Sequence, residues 1–248
     1  MIGVLLAAAA SVYAHPLPAP RTDFYFGANV SYHNVATLGP VPIVSVQTAY
    51  KEQETLQSIT SLEYFNGPPF TGTGAPFYAR MDAVQTQAAA FLGCYDKNGT
   101  ILMPSTTIGL NTVADGLVQS GWLSQGDRVL TTNQEHAGGL AGWLHYNASG
   151  LIHVDMVPLP IPPYEPLTGV DQIVDLFEKM ITPQTTVLFF SHVTTTTGLT
   201  LPVKALVALA ERQPHRPMVV VDGAQALGMG VNVSELGCDA YAPVKIPQ

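Results

Sequence analysis

Apolar, β-branched runs recur along the chain, and each one stops in a short polar loop. Val187-Leu188-Phe189-Phe190 leads into Ser191–Gly198, Val219-Val220-Val221 stops at Asp222-Gly223-Ala224-Gln225, Arg128-Val129-Leu130 leads into Thr131–Gly139, and Thr100-Ile101-Leu102-Met103 leads into Ser105–Asn111. Short apolar runs bounded by small polar residues read as strands covered on both faces. Stretches with helical spacing lie between them. In the clearest, Val170, Ile173, Val174, Phe177, Met180 and Ile181 follow the i, i+3, i+4, i+7 rhythm. Strands are predicted near 100–103, 127–131, 151–156, 185–190 and 217–221, and helices near 107–120, 137–146, 170–181 and 202–212. Alternation of this kind predicts an α/β fold, a mostly parallel sheet with helices on both faces.

The first part of the chain reads differently. Asp23–Phe26 predicts a short strand, and Pro42 predicts the start of a helix running from Ile43 into the sixties. A loop follows over Asn66–Gly74, then a second helix over Arg80–Leu92 with Met81, Val84, Ala88, Phe91 and Leu92 as its core face. The organisation expected is a leader over 1–20, an N-terminal strand, loop and helix segment over 21–75, and a large α/β domain over 76–248.

Composition narrows the function. Hydrophobic residues make up 47% and charged residues 11%, which suits a packed body and not disorder. The formal charge of −8, without a basic cluster, argues against nucleic-acid binding. Cys94 and Cys238 form no spacing motif, and Cys94 among Phe91, Leu92 and Tyr95 reads as a buried apolar thiol. Ile2–Ala10 is apolar, Val12-Tyr13-Ala14 resembles a signal-peptidase site, and His15-Pro16-Leu17-Pro18 breaks a helix. The segment is too short to span a membrane. Sequons begin at Asn29, Asn98, Asn147 and Asn232. Together these predict the secretory pathway, with no membrane association once the leader is removed. The alternative is an uncleaved leader, or a gene-start artefact, on a cytoplasmic protein.

A strand ending in Asp222 sets a carboxylate at the carboxyl edge of the sheet, where open α/β folds bind ligands. On the residues alone, an aspartate that caps the next helix fits equally well. Thr106 and Thr107, opening a helix after an apolar run, fit an anion site or a plain N-cap. A nucleotide-binding reading lacks both G-x-G-x-x-G after a strand and G-x-x-x-x-G-K-[ST].

Taken in order, TT-x-G-x-N (from Thr106), T-x-x-EH (from Thr132), SHV-x-x-TTG-x-x-LPV (from Ser191), VVVDGAQ (from Val219) and LGCDAY (from Leu236) resemble the class V aminotransferase family. These are fold-type I enzymes dependent on pyridoxal 5'-phosphate, and they include cysteine desulfurases and isopenicillin N epimerase-like proteins. The resemblance covers about Asp23 to Tyr241. It implies that Thr106 and Thr107 hold the cofactor phosphate, that His136 stacks on the pyridine ring, and that Asp222 keeps the ring nitrogen protonated. It further implies that Ala224 leaves room for the ring and that Gln225 donates to the ring's phenolic oxygen. Asn34 is implied at the substrate, and Thr195 at the substrate or the cofactor oxygen. The substrate implied is a small amino acid undergoing transamination, epimerisation or C–S bond cleavage, and the family's members are typically homodimers.

The resemblance breaks after Tyr241. The family's lysine lies in an S-x-H-K segment, whereas this chain reads Pro243-Val244-Lys245-Ile246-Pro247-Gln248, with Lys245 two positions early as the Schiff-base candidate. The small C-terminal domain of the family is also missing from the sequence. The chain is therefore expected to be an incomplete, inactive family member if Lys245 does not substitute. The alternative is a non-catalytic remnant that binds the cofactor weakly or pairs with a full-length homologue.

Overall fold

The computed structural model describes residues 21–27, 29–31, 39–58, 77–94, 96–161 and 164–243. The leader, Asn34, the Asn66–Gly74 loop and Lys245 lie outside them. Two compact units are distinguished, one of residues up to Ile101 together with 246–248, the other from Leu102 to Lys245.

In the first unit Pro42 precedes helix α1 (Ile43–Ser58), and its carbonyl accepts the Ser45 and Val46 amides at 3.0 and 3.2 Å. Helix α2 (Phe77–Leu92) begins three residues before the predicted Arg80, and Arg80 pairs with Glu52 of α1 at 2.8 Å. Two expectations fail here. Asp23–Phe26 is not a strand: Arg21–Asp23 is a 3-10 turn, and Phe24 makes a single antiparallel bridge to Pro42. Pro42 has no N–H with which to extend that bridge into a ladder. The predicted core face of α2 is covered only in part, with Ala88, Phe91 and Leu92 half-buried and its N-terminal half open. Met81 and Val84 are 39% and 49% exposed, and Ala89 is the buried residue of the helix. The apolar spacing is present, but the described residues of this unit supply too little surface to cover it. Cys94 is half-buried with a free thiol.

The strand predicted near 100–103 does not form. Ile101 is 75% exposed, and Leu102 and Met103 are half-open beside Pro104, which cannot donate into a ladder.

The second unit realises the predicted architecture. Strands β1 (Arg128–Thr132), β2 (His153–Val157), β3 (Thr185–Ser191), β4 (Met218–Asp222) and β5 (Ala240–Ala242) form one parallel sheet in the spatial order β2-β1-β3-β4-β5. Helices α3 (Thr106–Gln119), α4 (Ala137–Ala148), α5 (Val170–Glu178) and α6 (Val203–Glu211) fill the connections and flanks. Alternation along each strand sorts the side chains between two layers. Val129, Val187, Phe189 and Val220 face α3 and α4, packing on Leu110, Ala114 and Trp143. Leu130, Leu188, Phe190, Val219 and Val221 face α5 and α6, packing on Ile173, Phe177, Leu206 and Val207. Both faces are apolar, which is why the strands read as continuous runs. Arg128 on β1 holds Asp155 on β2 through two nitrogens, Nε to Oδ2 at 2.6 Å and a terminal nitrogen to Oδ1 at 2.5 Å. Among the described residues no helix is long and apolar enough to cross a membrane.

Candidate functional site

β3, β4 and β5 end level with one another: Ser191 pairs with Asp222, and Asp222 with Ala242. The strand order reverses between β1 and β3, because the chain goes from β1 out to β2 and returns across β1 to β3. The crevice outside the carboxyl ends at such a reversal is where open α/β sheets take ligands.

Two helix starts border this crevice. Ser105 caps α3, its Oγ accepting the Ile108 amide at 3.2 Å, so neither threonine serves as the cap. Thr106 and Thr107 are left as the first two helical residues, whose amides have no partner inside the helix. Thr106 is buried, and its Oγ1 has no hydrogen-bond partner among the described residues. Helix α4 is capped by His136, whose Nδ1 accepts the Gly138 amide at 3.1 Å. That bond leaves the proton of the neutral ring on Nε2. Asn111 ties the two helices: its Oδ1 accepts the Gly142 amide at 2.8 Å and its Nδ2 donates to the Gly138 carbonyl at 3.4 Å.

Glycines in the first turn of α4 bring the groups together. A β-carbon on Gly138 would overlap Thr107 Oγ1 and stand 3.1 Å from His136 Nδ1, and one on Gly139 would stand 3.0 Å from Asp222 Oδ2. Thr107, His136 and Asp222 therefore meet around two residues that have no side chains.

Asp222 is 4% exposed; its Oδ1 accepts the Ala224 amide at 2.9 Å, and its carbonyl accepts the His192 amide at 2.7 Å. Burial pushes its carboxyl above the ordinary range, while the Ala224 amide and charge on His136 pull it down. A second carboxyl sits beside it. Glu135 Oε1 accepts from Thr132 Oγ1 and Oε2 from Ser191 Oγ, both at 2.5 Å, joining the loop after β1 to the end of β3. Burial raises this carboxyl to about 7, and the neighbouring Asp222 adds to the rise. His192 Nδ1 lies 3.0 Å from Tyr241 Oη; burial holds the imidazole below and the phenol above their ordinary values.

Thr106, Thr107, His136, Asp222 and Ala224 are thus placed in one region. Gln225, in the turn after β4, is half-buried, and its amide makes no hydrogen bond to a described residue. Thr195 lies in an exposed turn, while its neighbour Thr194 bonds Thr197 at 2.7 Å, and Thr197 bonds Gln134 at 2.7 Å. Sequence reasoning gave no role to Glu135, Asn111 or Ser191. The nearest signal was the glutamate inside T-x-x-EH, directly after a buried strand.

The aminotransferase class-V family profile matches residues 45–243. A cysteine desulfurase of Klebsiella pneumoniae subsp. pneumoniae is 33% identical over 164 residues, covering 66% of this chain and 38% of that protein. The isopenicillin N epimerase of Amycolatopsis lactamdurans is 36% identical over 121 residues, 48% of this chain and 29% of that one. The chain thus spans well under half the length of these relatives. Among solved structures, the cystine C–S lyase C-DES with its product cysteine persulfide superposes with a TM-score of 0.71 at 24% identity, over 87% of this chain and 53% of that one. A lysine-to-alanine variant of C-DES, with glycine covalently linked to its PLP cofactor, gives 0.73 at 24% identity, over 90% and 55%. These structures share the fold described above. With a profile that matches from within α1 to just past β5, the chain belongs to the aminotransferase class-V family.

Proposed function

We propose that the crevice bordered by α3, α4 and β4 holds pyridoxal 5'-phosphate and that the chain takes part in chemistry on a small amino acid. The observation that carries this is the meeting of Thr107, His136 and Asp222 around Gly138 and Gly139, beside a buried Thr106 hydroxyl that lacks a partner. The residues fit the group. Unclaimed amides at the start of a 14-residue helix, with the helix dipole behind them, suit a phosphate, and Thr106 Oγ1 offers a donor that is unsatisfied without one. The imidazole of His136 supplies a flat face for the ring. The Asp222 carboxylate would hold a proton on the ring nitrogen, and Gln225 has an amide to spare for the ring oxygen. Bound there, the cofactor supplies an electron-withdrawing heterocycle that weakens bonds at a substrate α-carbon.

Cysteine desulfurase similarity supports C–S bond cleavage over transamination or epimerisation. Titration of the protein with pyridoxal phosphate, followed by visible absorbance and tryptophan fluorescence, tests the binding. Saturable uptake that is lost in Asp222→Ala is expected, and wild type that binds no better than Asp222→Ala would overturn the reading. Borohydride treatment of Lys245→Ala beside wild type reports whether Lys245 attaches the cofactor. Sulfide release from L-cysteine, set against racemisation of the recovered amino acid, separates the reaction types.

A further inference from the structure

The crevice contains two carboxyls, Asp222 and Glu135, with different kinds of partner. Asp222 Oδ1 accepts from a backbone amide, that of Ala224, which can only donate and so favours the anion. Glu135 faces two hydroxyls as well as the Ser191 backbone amide. Thr132 Oγ1 accepts the Gln134 amide at 3.2 Å and so spends its own hydrogen on Glu135 Oε1. Ser191 Oγ, 2.5 Å from Oε2, is free to turn and accept. An acid at Glu135 therefore has the Ser191 hydroxyl ready to accept its proton, whereas Asp222 Oδ1 faces an N–H and no described hydroxyl bonds Asp222. Thr132 and Ser191 are 1% and 2% exposed, so the Glu135 carboxyl is enclosed where they grip it. Asp222 on β4 is the charged group acting on it, with His136 next in the chain and His192 and Tyr241 beside Asp222.

Glu135 is bonded to Ser191, the strand partner of Asp222, and charge on Asp222 raises the Glu135 carboxyl, so the two do not ionise independently. We propose that Glu135 is a positioning residue that takes the proton of this pair, so that Asp222 is the group left negatively charged in the crevice. The consequence for the ring nitrogen rests on the cofactor reading above, while the order of ionisation does not. The same hydroxyl grip fastens the β1 loop to the end of β3, which keeps His136, the residue after Glu135, at its place on α4.

Side-chain carboxyl carbon-13 signals of the cofactor-free protein, followed against pH, test this. Asp222 is expected to titrate first and Glu135 later, near neutrality. Glu135→Gln should remove the later signal and leave the Asp222 midpoint in place. Asp222→Asn should lower the Glu135 midpoint by about half a pH unit or more. A Glu135 midpoint below that of Asp222, or an Asp222 midpoint that falls in Glu135→Gln, would overturn the proposal; wild type and Glu135→Gln suffice for this should Asp222→Asn not fold. Failure of wild type to take up pyridoxal phosphate would overturn the ring-nitrogen role while the titration order stands, so the two readings fail separately.

Discussion

The backbone of Gly139 lies against the carboxylate of Asp222, with only 3.0 Å between the site of an added β-carbon and Oδ2. The same β-carbon would stand 2.9 Å from Leu110 Cδ1 and 3.1 Å from Phe189 Cζ, two side chains of the sheet–helix core. Gly139→Ala should cost about 1–3 kcal/mol through overpacking. It should also weaken cofactor uptake more than a control of equal stability loss elsewhere in α4. Urea unfolding beside a pyridoxal phosphate titration measures both.

Thr106→Val separates folding from binding. The Thr106 hydroxyl is buried without a partner, so an isosteric apolar replacement should leave the cofactor-free protein equally stable or about 1 kcal/mol more stable. A hydrogen bond to an anion would be lost, and phosphate-dependent affinity should fall about tenfold or more. Thermal melts with and without pyridoxal phosphate read the two effects, which have opposite signs.

Glu135 links stability to pH. Its carboxyl rises from 4.5 to about 7 on folding, so the folded state keeps a proton that the unfolded chain has lost. The stabilisation is fully present below about pH 4.5 and is lost as the pH rises to about 7. Relative to Glu135→Gln, wild type should lose about 3 kcal/mol across that window. His192 acts the other way, since burial lowers its value and stability grows as the pH climbs through the ordinary histidine range. Denaturation of the pair at several pH values isolates the glutamate.

Arg128 and Asp155 join the edge strand β2 to β1 through two short hydrogen bonds between partly covered side chains. Asp155→Ala should cost about 1 kcal/mol, more than truncating an open pair. The similar truncation at Lys204–Glu235, where both side chains are more than half exposed, should cost a few tenths at most. Chemical denaturation of the two variants makes the comparison.

The sheet was legible where a strand is covered on both faces, because Val187–Phe190 and Val219–Val221 then have no polar alternation to confuse the reading. The helix of Ile173 and Phe177 was legible from spacing alone. Thr100–Met103 misled because it is just as apolar, yet it pairs with no described strand, and Ile101–Met103 stay open. Met81 and Val84 misled for a related reason: spacing shows which side chains share a face but not whether anything covers it. At the site, Asp222 and His136 were marked by their position after strands. Ser105, one residue ahead of the threonines, was passed over as the cap. The grip on Glu135 was invisible because Ser191 lies 56 residues further along.

The strand order has a kinetic consequence. Thr106, His136, Ser191 and Asp222 come from four successive segments, and β1 meets its neighbour β3 only after β2 and α5 have been made. Such distant pairings close slowly. A nascent chain therefore has no crevice until β4 has docked. Whatever the crevice binds selects molecules that have finished folding, and shields those alone from turnover.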